Sequence, residues 1–121
     1  MKVNAQRIYM KTRHYDLKKI NDLSDHDKEF AQSLAEVFIE EIPEDMKHLA
    51  DGVFDKNRDK VHEYAHKMKP TFDMFGLKTL KELKLLEAWG KSNESFGVED
   101  ILVQIQHEAS LVIEELKEDF F

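Results

Sequence analysis

The chain has 121 residues, of which 41% are hydrophobic and 36% are charged, so its composition suits one domain with a modest core and a heavily charged surface. It has no cysteine, which excludes disulfides, thiolate zinc sites and a cysteine nucleophile. The formal net charge of -7 argues against a general nucleic-acid binder, and no apolar run approaches the ~20 residues that span a bilayer. The opening residues do not have the pattern of a signal peptide, so none is expected. We therefore expect a cytoplasmic protein that binds neither nucleic acid nor membrane, and we further expect it to be a monomer.

The first fifteen residues carry a different charge from the rest of the chain. They contain four basic residues and no acidic one: Lys2, Arg7, Lys11 and Arg13. So short a basic stretch is typical of a terminal arm that is at most partly ordered. The sequence thus predicts a basic arm over residues 1–15 and a helical domain over residues 16–121.

From residue 16 onward, apolar residues recur at helical spacing. The pattern predicts a short helix over residues 16–21 and then a longer helix with Ser24 as its N-cap. The expected apolar stripe of that helix consists of Phe30, Leu34, Val37 and Phe38. Pro43 divides it from a segment that carries Met46, Leu49, Ala50 and Val53, although the two also fit one long kinked helix.

Three further helices are predicted over residues 57–76, 80–90 and 98–117, with a clear turn at residues 91–97. Helices joined by short loops favour antiparallel neighbours. We therefore expect an all-α fold, an antiparallel up-down four-helix bundle with a short additional helical segment at its N-terminal side. The acidic run at the end of the last helix is expected to be solvated: Glu114, Glu115, Glu118 and Asp119.

The segment VHEYAHKMKPTFDMFG, residues 61–76, is the most informative part of the sequence. At about 100° per residue, one stripe roughly 80° wide is apolar and forms the expected core face: Val61, Ala65, Met68, Phe72 and Phe75. His66 lies roughly 140° from the middle of this stripe, so it is predicted to face solvent. His62, Lys69, Pro70 and Asp73 share its side of the helix.

Pro70 breaks a rule of helix formation at this exposed position. A proline inside a helix costs about 3 kcal/mol, because it has no N–H and crowds the preceding turn. The backbone carbonyl that loses its usual partner is that of His66. Two interpretations stay open at this point: a functional adaptation beside the histidine, and a tolerated kink that bends the helix around the core.

Several of these residues together resemble the histidine-containing phosphotransfer (HPt) domain family. The pattern consists of His66-Lys67-Met68-Lys69, a glycine ten residues after the histidine, Leu80 on the next helix, and the Leu86-Glu87 pair. The resemblance extends over roughly residues 16–116. One position departs from the family pattern, because Pro70 replaces the usual glycine four residues after the histidine.

The resemblance implies that His66 accepts a phosphoryl group and exchanges it with the aspartate of receiver domains. Lys69 and Lys67 would support the phosphate, whereas His62, Pro70, Asp73 and Met74 would form the docking surface. The expected partners are response-regulator receivers and a sensor or hybrid histidine kinase. The chain would be a phosphocarrier without a cofactor of its own, and the receiver would supply Mg²⁺.

The residues also support this chemistry without the resemblance. Imidazole is a good nucleophile near neutral pH, and a lysine one turn along can neutralise phosphate charge. The chain has no glycine-rich phosphate loop and no kinase signature, so a carrier fits better than a kinase.

Two alternatives remain. His62-Glu63-Tyr64-Ala65-His66 matches the H-E-x-x-H motif of zinc hydrolases, in which two histidines one turn apart bind the metal. A catalytic zinc needs a third protein ligand; the extended motif fails at Phe72, which leaves Glu82 or Glu87. The other alternative is a pseudo-phosphotransfer scaffold that binds receivers without transferring phosphate.

Overall fold

The computed structural model describes residues 12–121, and within this range the chain forms helices and no strand. The five helices are α1 (Lys18–Ser24), α2 (Lys28–Phe54), α3 (Arg58–Met74), α4 (Leu80–Gly90) and α5 (Val98–Phe120). The predicted all-α class and the short extra helix at the N-terminal side are confirmed. No helix among the described residues has the length and apolar character needed to cross a membrane.

The four longer helices form a bundle in which each packs against two neighbours, in the cyclic order α2, α3, α4, α5. Their directions follow from the contacts between side chains. Phe38 in the first half of α2 stacks on Phe72 near the end of α3, with ring centroids 6.3 Å apart. His48, further along α2, stacks on Tyr64, which lies earlier in α3. The two helices are therefore antiparallel, as the short loops predict.

The structure corrects the predicted start of α2 and, at Pro43, confirms the alternative of one long helix. The N-cap is Asp27, whose side chain accepts hydrogen bonds from the backbone N–H groups of Glu29 and Phe30, whereas Ser24 is the last residue of α1. Pro43 does not end a helix, because α2 runs through it without interruption. Pro43 is exposed, so the carbonyl that its ring leaves without a partner lies on the solvent side of the helix.

The predicted apolar stripe of α2 is only partly correct. Phe30 and Val37 are exposed, whereas Ala31, Ala35, Phe38 and Ile42 are buried. Small alanines occupy the contact face here, which lets the neighbouring helices approach closely and turns two larger apolar residues outward. Along α3 and its C-cap Phe75, by contrast, all five residues of the predicted core stripe are buried.

Residues 13–15 lie against the end of α5. Arg13 binds Glu118 and Asp119, the Tyr15 hydroxyl donates to Asp119, and the backbone and ring nitrogens of His14 contact Glu115 at 2.7 Å and 2.6 Å. Glu115 is buried, so the prediction of a solvated acidic end was wrong at this residue. The other basic residues of the predicted arm fall outside the described part of the chain, and the boundary at residue 15 stays a prediction.

Candidate functional site

The helix α3 holds the candidate site on its outer face. Its first turn is capped by the Asn57 side chain, which accepts from the backbone N–H of Lys60. The helix continues through Pro70 to Met74, and Gly76 then adopts a left-handed φ of 66°, in which a Cβ atom would collide with the Asp16 carboxylate. Since the apolar stripe of α3 is fully engaged in the core, His66 points outward, as predicted, with 68% of its side chain exposed.

His66 is held by a carboxylate on the neighbouring helix α4. Its Nδ1 lies 2.6 Å from Oε2 of Glu87, whose side chain is only 15% exposed. An ionised carboxylate can only accept a hydrogen bond, so Nδ1 is the donor and carries the ring proton. In the neutral ring, the lone pair therefore resides on Nε2, which is the nitrogen available to a phosphoryl group.

Lys69 binds the same carboxylate from the other side. Its Nζ lies 2.6 Å from Oε1 of Glu87, so each carboxylate oxygen has its own donor. Burial by itself raises the pKa of Glu87, but the hydrogen bonds from Lys69 and His66 outweigh it and leave that pKa below the usual value of 4.5. Glu87 is therefore ionised throughout the neutral range, as the His66 tautomer requires.

Lys67 lies on the opposite flank of α3, away from the group formed by His66, Lys69 and Glu87, here called the His66 cluster. Its Nζ is 2.7 Å from Oδ1 of the buried Asp45 on α2, and this hydrogen bond is the main reason why the pKa of Lys67 is raised. The structure thus brings Lys69 to the His66 cluster and ties Lys67 to another helix. Its predicted support of a phosphate remains a prediction that would require it to leave Asp45.

His62 lies one turn before His66, on the same side of α3. The two rings are nearly parallel, at 11°, with centroids 6.1 Å apart, and Nδ1 of His62 lies 3.0 Å from the backbone carbonyl oxygen of Glu87. Both histidines therefore direct Nδ1 toward the same residue of α4.

The remaining predicted docking residues lie further along α3. Asp73 binds Lys19 of α1 at 2.6 Å. Pro70 and the half-buried Met74 line a mostly apolar groove of about 140 Å³ between α2 and α3, together with Leu34, Val37, Thr71 and Phe75. This groove begins one helical turn from His66.

The H-E-x-x-H segment shows no arrangement suited to a catalytic zinc. The two imidazole rings stand side by side, whereas ligands of one tetrahedral ion converge on a single point about 2 Å from each nitrogen. Glu87, the nearest carboxylate, is already engaged by Lys69 and His66. Among residues 12–121, no cluster of three or more histidine or acidic side chains is placed to hold a metal ion.

Glu87 is the residue of this site that the sequence pattern alone does not link to His66. A signal was present in α4, where the buried residues Leu83, Leu86 and Gly90 mark the core face. Glu87 borders this face, and a carboxylate at the border of a buried helix face contacts whichever helix packs beside it. Which histidine it meets depends on the packing of α4 against α3, which the sequence pattern does not contain.

Comparison with known proteins matches this chain to a family. The family model described as the Hpt domain matches residues 33–110, more than half of the chain. The match includes most of α2, all of α3 and α4, and the first half of α5, and therefore every residue of the His66 cluster. Searches of curated proteins and of solved structures gave no match.

Proposed function

We propose, from the premise that this chain belongs to the Hpt domain family, that it relays a phosphoryl group between Nε2 of His66 and the aspartate of receiver domains in a two-component phosphorelay. Hpt domains serve histidine phosphotransfer in phosphorelays and are phosphocarriers rather than enzymes. The observation that carries the assignment to His66 is its bond to Glu87, because that bond leaves Nε2 free on an exposed ring.

The proposed step is a displacement at phosphorus. The Nε2 lone pair forms the N–P bond while the bond between phosphorus and the aspartyl oxygen breaks, and its electron pair returns to the aspartate carboxylate. His66 keeps its Nδ1 proton throughout, and Glu87 stabilises the positive charge that develops on the ring. In the reverse direction the same atoms donate the group to a receiver. A receiver with its own Mg²⁺ would supply the remaining charge stabilisation.

The surroundings of His66 suit the docking of another protein domain rather than a small substrate. The ring stands on a convex helix face, and the groove along Pro70 and Met74 offers apolar contact beside it. Within the described residues, Glu87, Lys69 and His66 form an ionic flank on the α4 side, whereas the groove lies on the α2 side. We propose that a receiver covers both, and that Lys69 contacts the phosphoryl group during transfer.

The decisive experiment uses a receiver carrying labelled phosphate. Wild-type protein should acquire acid-labile, base-stable label, and His66→Gln should acquire none. Glutamine retains an N–H group for Glu87, and changes at exposed positions shift stability by only about 0.5 kcal/mol, so the variant should unfold at nearly the wild-type temperature. His107→Gln, at an exposed histidine of α5, is the matched control and should accept the label normally.

Two outcomes would contradict the proposal. Full labelling of His66→Gln would move the acceptor to another residue. Wild-type protein that binds the receiver firmly but takes no label would be a pseudo-phosphotransfer scaffold.

A further inference from the structure

The last turn of α4 carries a second contact to α3 that the phosphotransfer chemistry does not itself use. The final four carbonyl groups of a helix have no partner within it. In α4, the backbone N–H of Lys91, which would serve the Glu87 carbonyl in a continuing α-helix, instead donates to Ala88 at 3.0 Å. The ring of His62 supplies a donor to the Glu87 carbonyl, with Nδ1 at 3.0 Å.

Two further contacts between α3 and α4 lie on the C-terminal side of Glu87. Arg58, one turn before His62 on α3, donates to the backbone carbonyl of Trp89 at 2.8 Å and lies 4.1 Å over its ring. Gly90 permits the close approach, because a Cβ atom there would lie 2.6 Å from the backbone oxygen of Arg58 and from Cβ of His62. Arg58 and Gly90 thus bring the end of α4 close to α3, which leaves the Glu87 carbonyl within reach of His62.

Glu87 therefore contacts α3 through both its backbone and its side chain. Its backbone carbonyl accepts from His62, and its carboxylate accepts from His66 and Lys69. A backbone that shifts at residue 87 also shifts the carboxylate, and a hydrogen bond of 2.6 Å tolerates little displacement. The contact of His62 with α4 and the contact of Glu87 with His66 are thus linked through one residue.

We propose that His62 is a positioning residue for phosphotransfer: it caps the Glu87 carbonyl and so keeps the Glu87 carboxylate on Nδ1 of His66. The inference rests on the proposed function for its kinetic consequence, whereas its structural consequence can be measured in the unphosphorylated protein. It assigns His62 a role within the protein, distinct from both zinc binding and the docking of a partner.

The test compares three substitutions. His62→Asn keeps an N–H donor at nearly the position of Nδ1, whereas His62→Leu keeps the bulk and removes the donor. His107→Leu, on the exposed side of α5, controls for the loss of an imidazole. The readouts are the ¹⁵N chemical shifts of the His66 ring at pH 8, which report the nitrogen that carries the proton, and the rate of phosphoryl acceptance from one phosphorylated receiver.

We expect wild type, His62→Asn and His107→Leu to show His66 with its proton on Nδ1. His62→Leu should show a mixture of tautomers and accept phosphate about two- to tenfold more slowly, the loss expected for one uncharged hydrogen bond. If His62→Leu does not fold, His62→Ala provides the same comparison with His62→Asn.

A folded donor-free variant with the wild-type His66 tautomer and rate would overturn the inference. So would His62→Asn behaving like His62→Leu. The two proposals fail separately: wild-type protein that takes no label contradicts the proposed function, while the ¹⁵N shifts still decide whether His62 positions Glu87.

Discussion

The Glu87 carboxylate sets the chemistry of the His66 ring by accepting from two donors. One oxygen accepts from Nδ1 of His66 and the other from Nζ of Lys69, each at 2.6 Å. This arrangement fixes the tautomer of His66 and places a cation within one turn of the ring. It also means that Lys69 must loosen its contact with Glu87 to reach a phosphoryl group, so the lysine and the histidine are coupled through a shared partner.

Glu87→Gln should weaken the fold in a pH-dependent way. Burial raises the pKa of Glu87 in the folded protein, but hydrogen bonding by Lys69 and His66 outweighs burial and leaves this pKa below its usual value. The Glu87 carboxylate therefore stabilises the fold fully at pH values above its pKa in the unfolded chain. This stabilisation is lost as the pH falls through its pKa in the folded protein. We therefore expect wild type to be more stable than Glu87→Gln at pH 7, with a difference that shrinks below about pH 4.5. Urea unfolding of both proteins between pH 7 and pH 3 measures this; a constant difference would show that the carboxylate charge contributes nothing.

Lys69→Ala should slow phosphoryl transfer without abolishing it. The lysine lies three residues after His66, close enough to meet a phosphate but not placed as a nucleophile. Losing one charge-assisted contact should cost at most about 1.5–3 kcal/mol in the transferring complex, and Lys69→Arg should retain much of the rate. Lys47→Ala, at an exposed lysine of α2 outside the cluster, serves as control. Equal transfer rates for wild type and Lys69→Ala from one donor would show that the partner supplies all the positive charge.

At the scale of helices, α4 is positioned by other elements at both of its ends. At its start, Oε1 of the buried Glu108 on α5 accepts from the backbone N–H and the hydroxyl of Thr79, at 2.8 Å and 2.6 Å. At its end, Arg58 and His62 of α3 bind backbone carbonyls. An acid at a helix N-terminus and donors at its C-terminus both complement the helix dipole. The 11-residue helix that carries Glu87 therefore has little freedom to move relative to α3.

Gly90→Ala should destabilise the protein by about 1–2 kcal/mol. The added methyl would meet Arg58 and His62 at 2.6 Å, and such overpacking outweighs the better helix propensity of alanine. Gly97→Ala is the matched control, because a Cβ atom there meets nothing closer than 3.6 Å, and the change of this N-cap should cost less than about 1 kcal/mol. Equal free energies of unfolding for the two variants would contradict the close approach of α3 and α4 at Gly90.

The sequence predicts the helices with one strong amphipathic stripe best. In α3 the apolar period is unambiguous, so both the buried face and the outward position of His66 follow from it. In α2 the pattern favours Phe30 and Val37 by size, whereas the contact face uses Ala31 and Ala35. The pairings of Glu87 with His66 and of Lys67 with Asp45 join residues more than 20 positions apart. They depend on how whole helices pack, so no local pattern predicts them.

On the scale of the whole molecule, the His66 face combines two kinds of surface. Toward α4 it is ionic, with Lys69 and Glu87 beside the ring, and toward α2 it offers the apolar groove at Pro70 and Met74. Pro70, which replaces the glycine of the family pattern, is a wall of this groove. The proline thus adds apolar area to the groove where a glycine would leave an opening.

Val37→Glu should weaken receiver docking while leaving the fold and the reactivity of His66 intact. Val37 lines the groove and is 40% exposed, so a glutamate there should disturb the free protein little. In the complex, however, it would place a charge in an interface with the receiver from which water is excluded. Burying a valine is worth about 1.5–3 kcal/mol at most, so the receiver concentration needed for half-maximal transfer should rise roughly tenfold or more, with a nearly unchanged maximal rate.

Val103→Glu, at a 60% exposed valine of α5, is the matched control and should transfer like wild type. Phosphorylation of His66 by the small donor phosphoramidate should proceed equally in all three proteins, because no docking is required. If Val37→Glu and Val103→Glu both behaved like wild type with the receiver, the receiver would approach His66 from the α4 side alone.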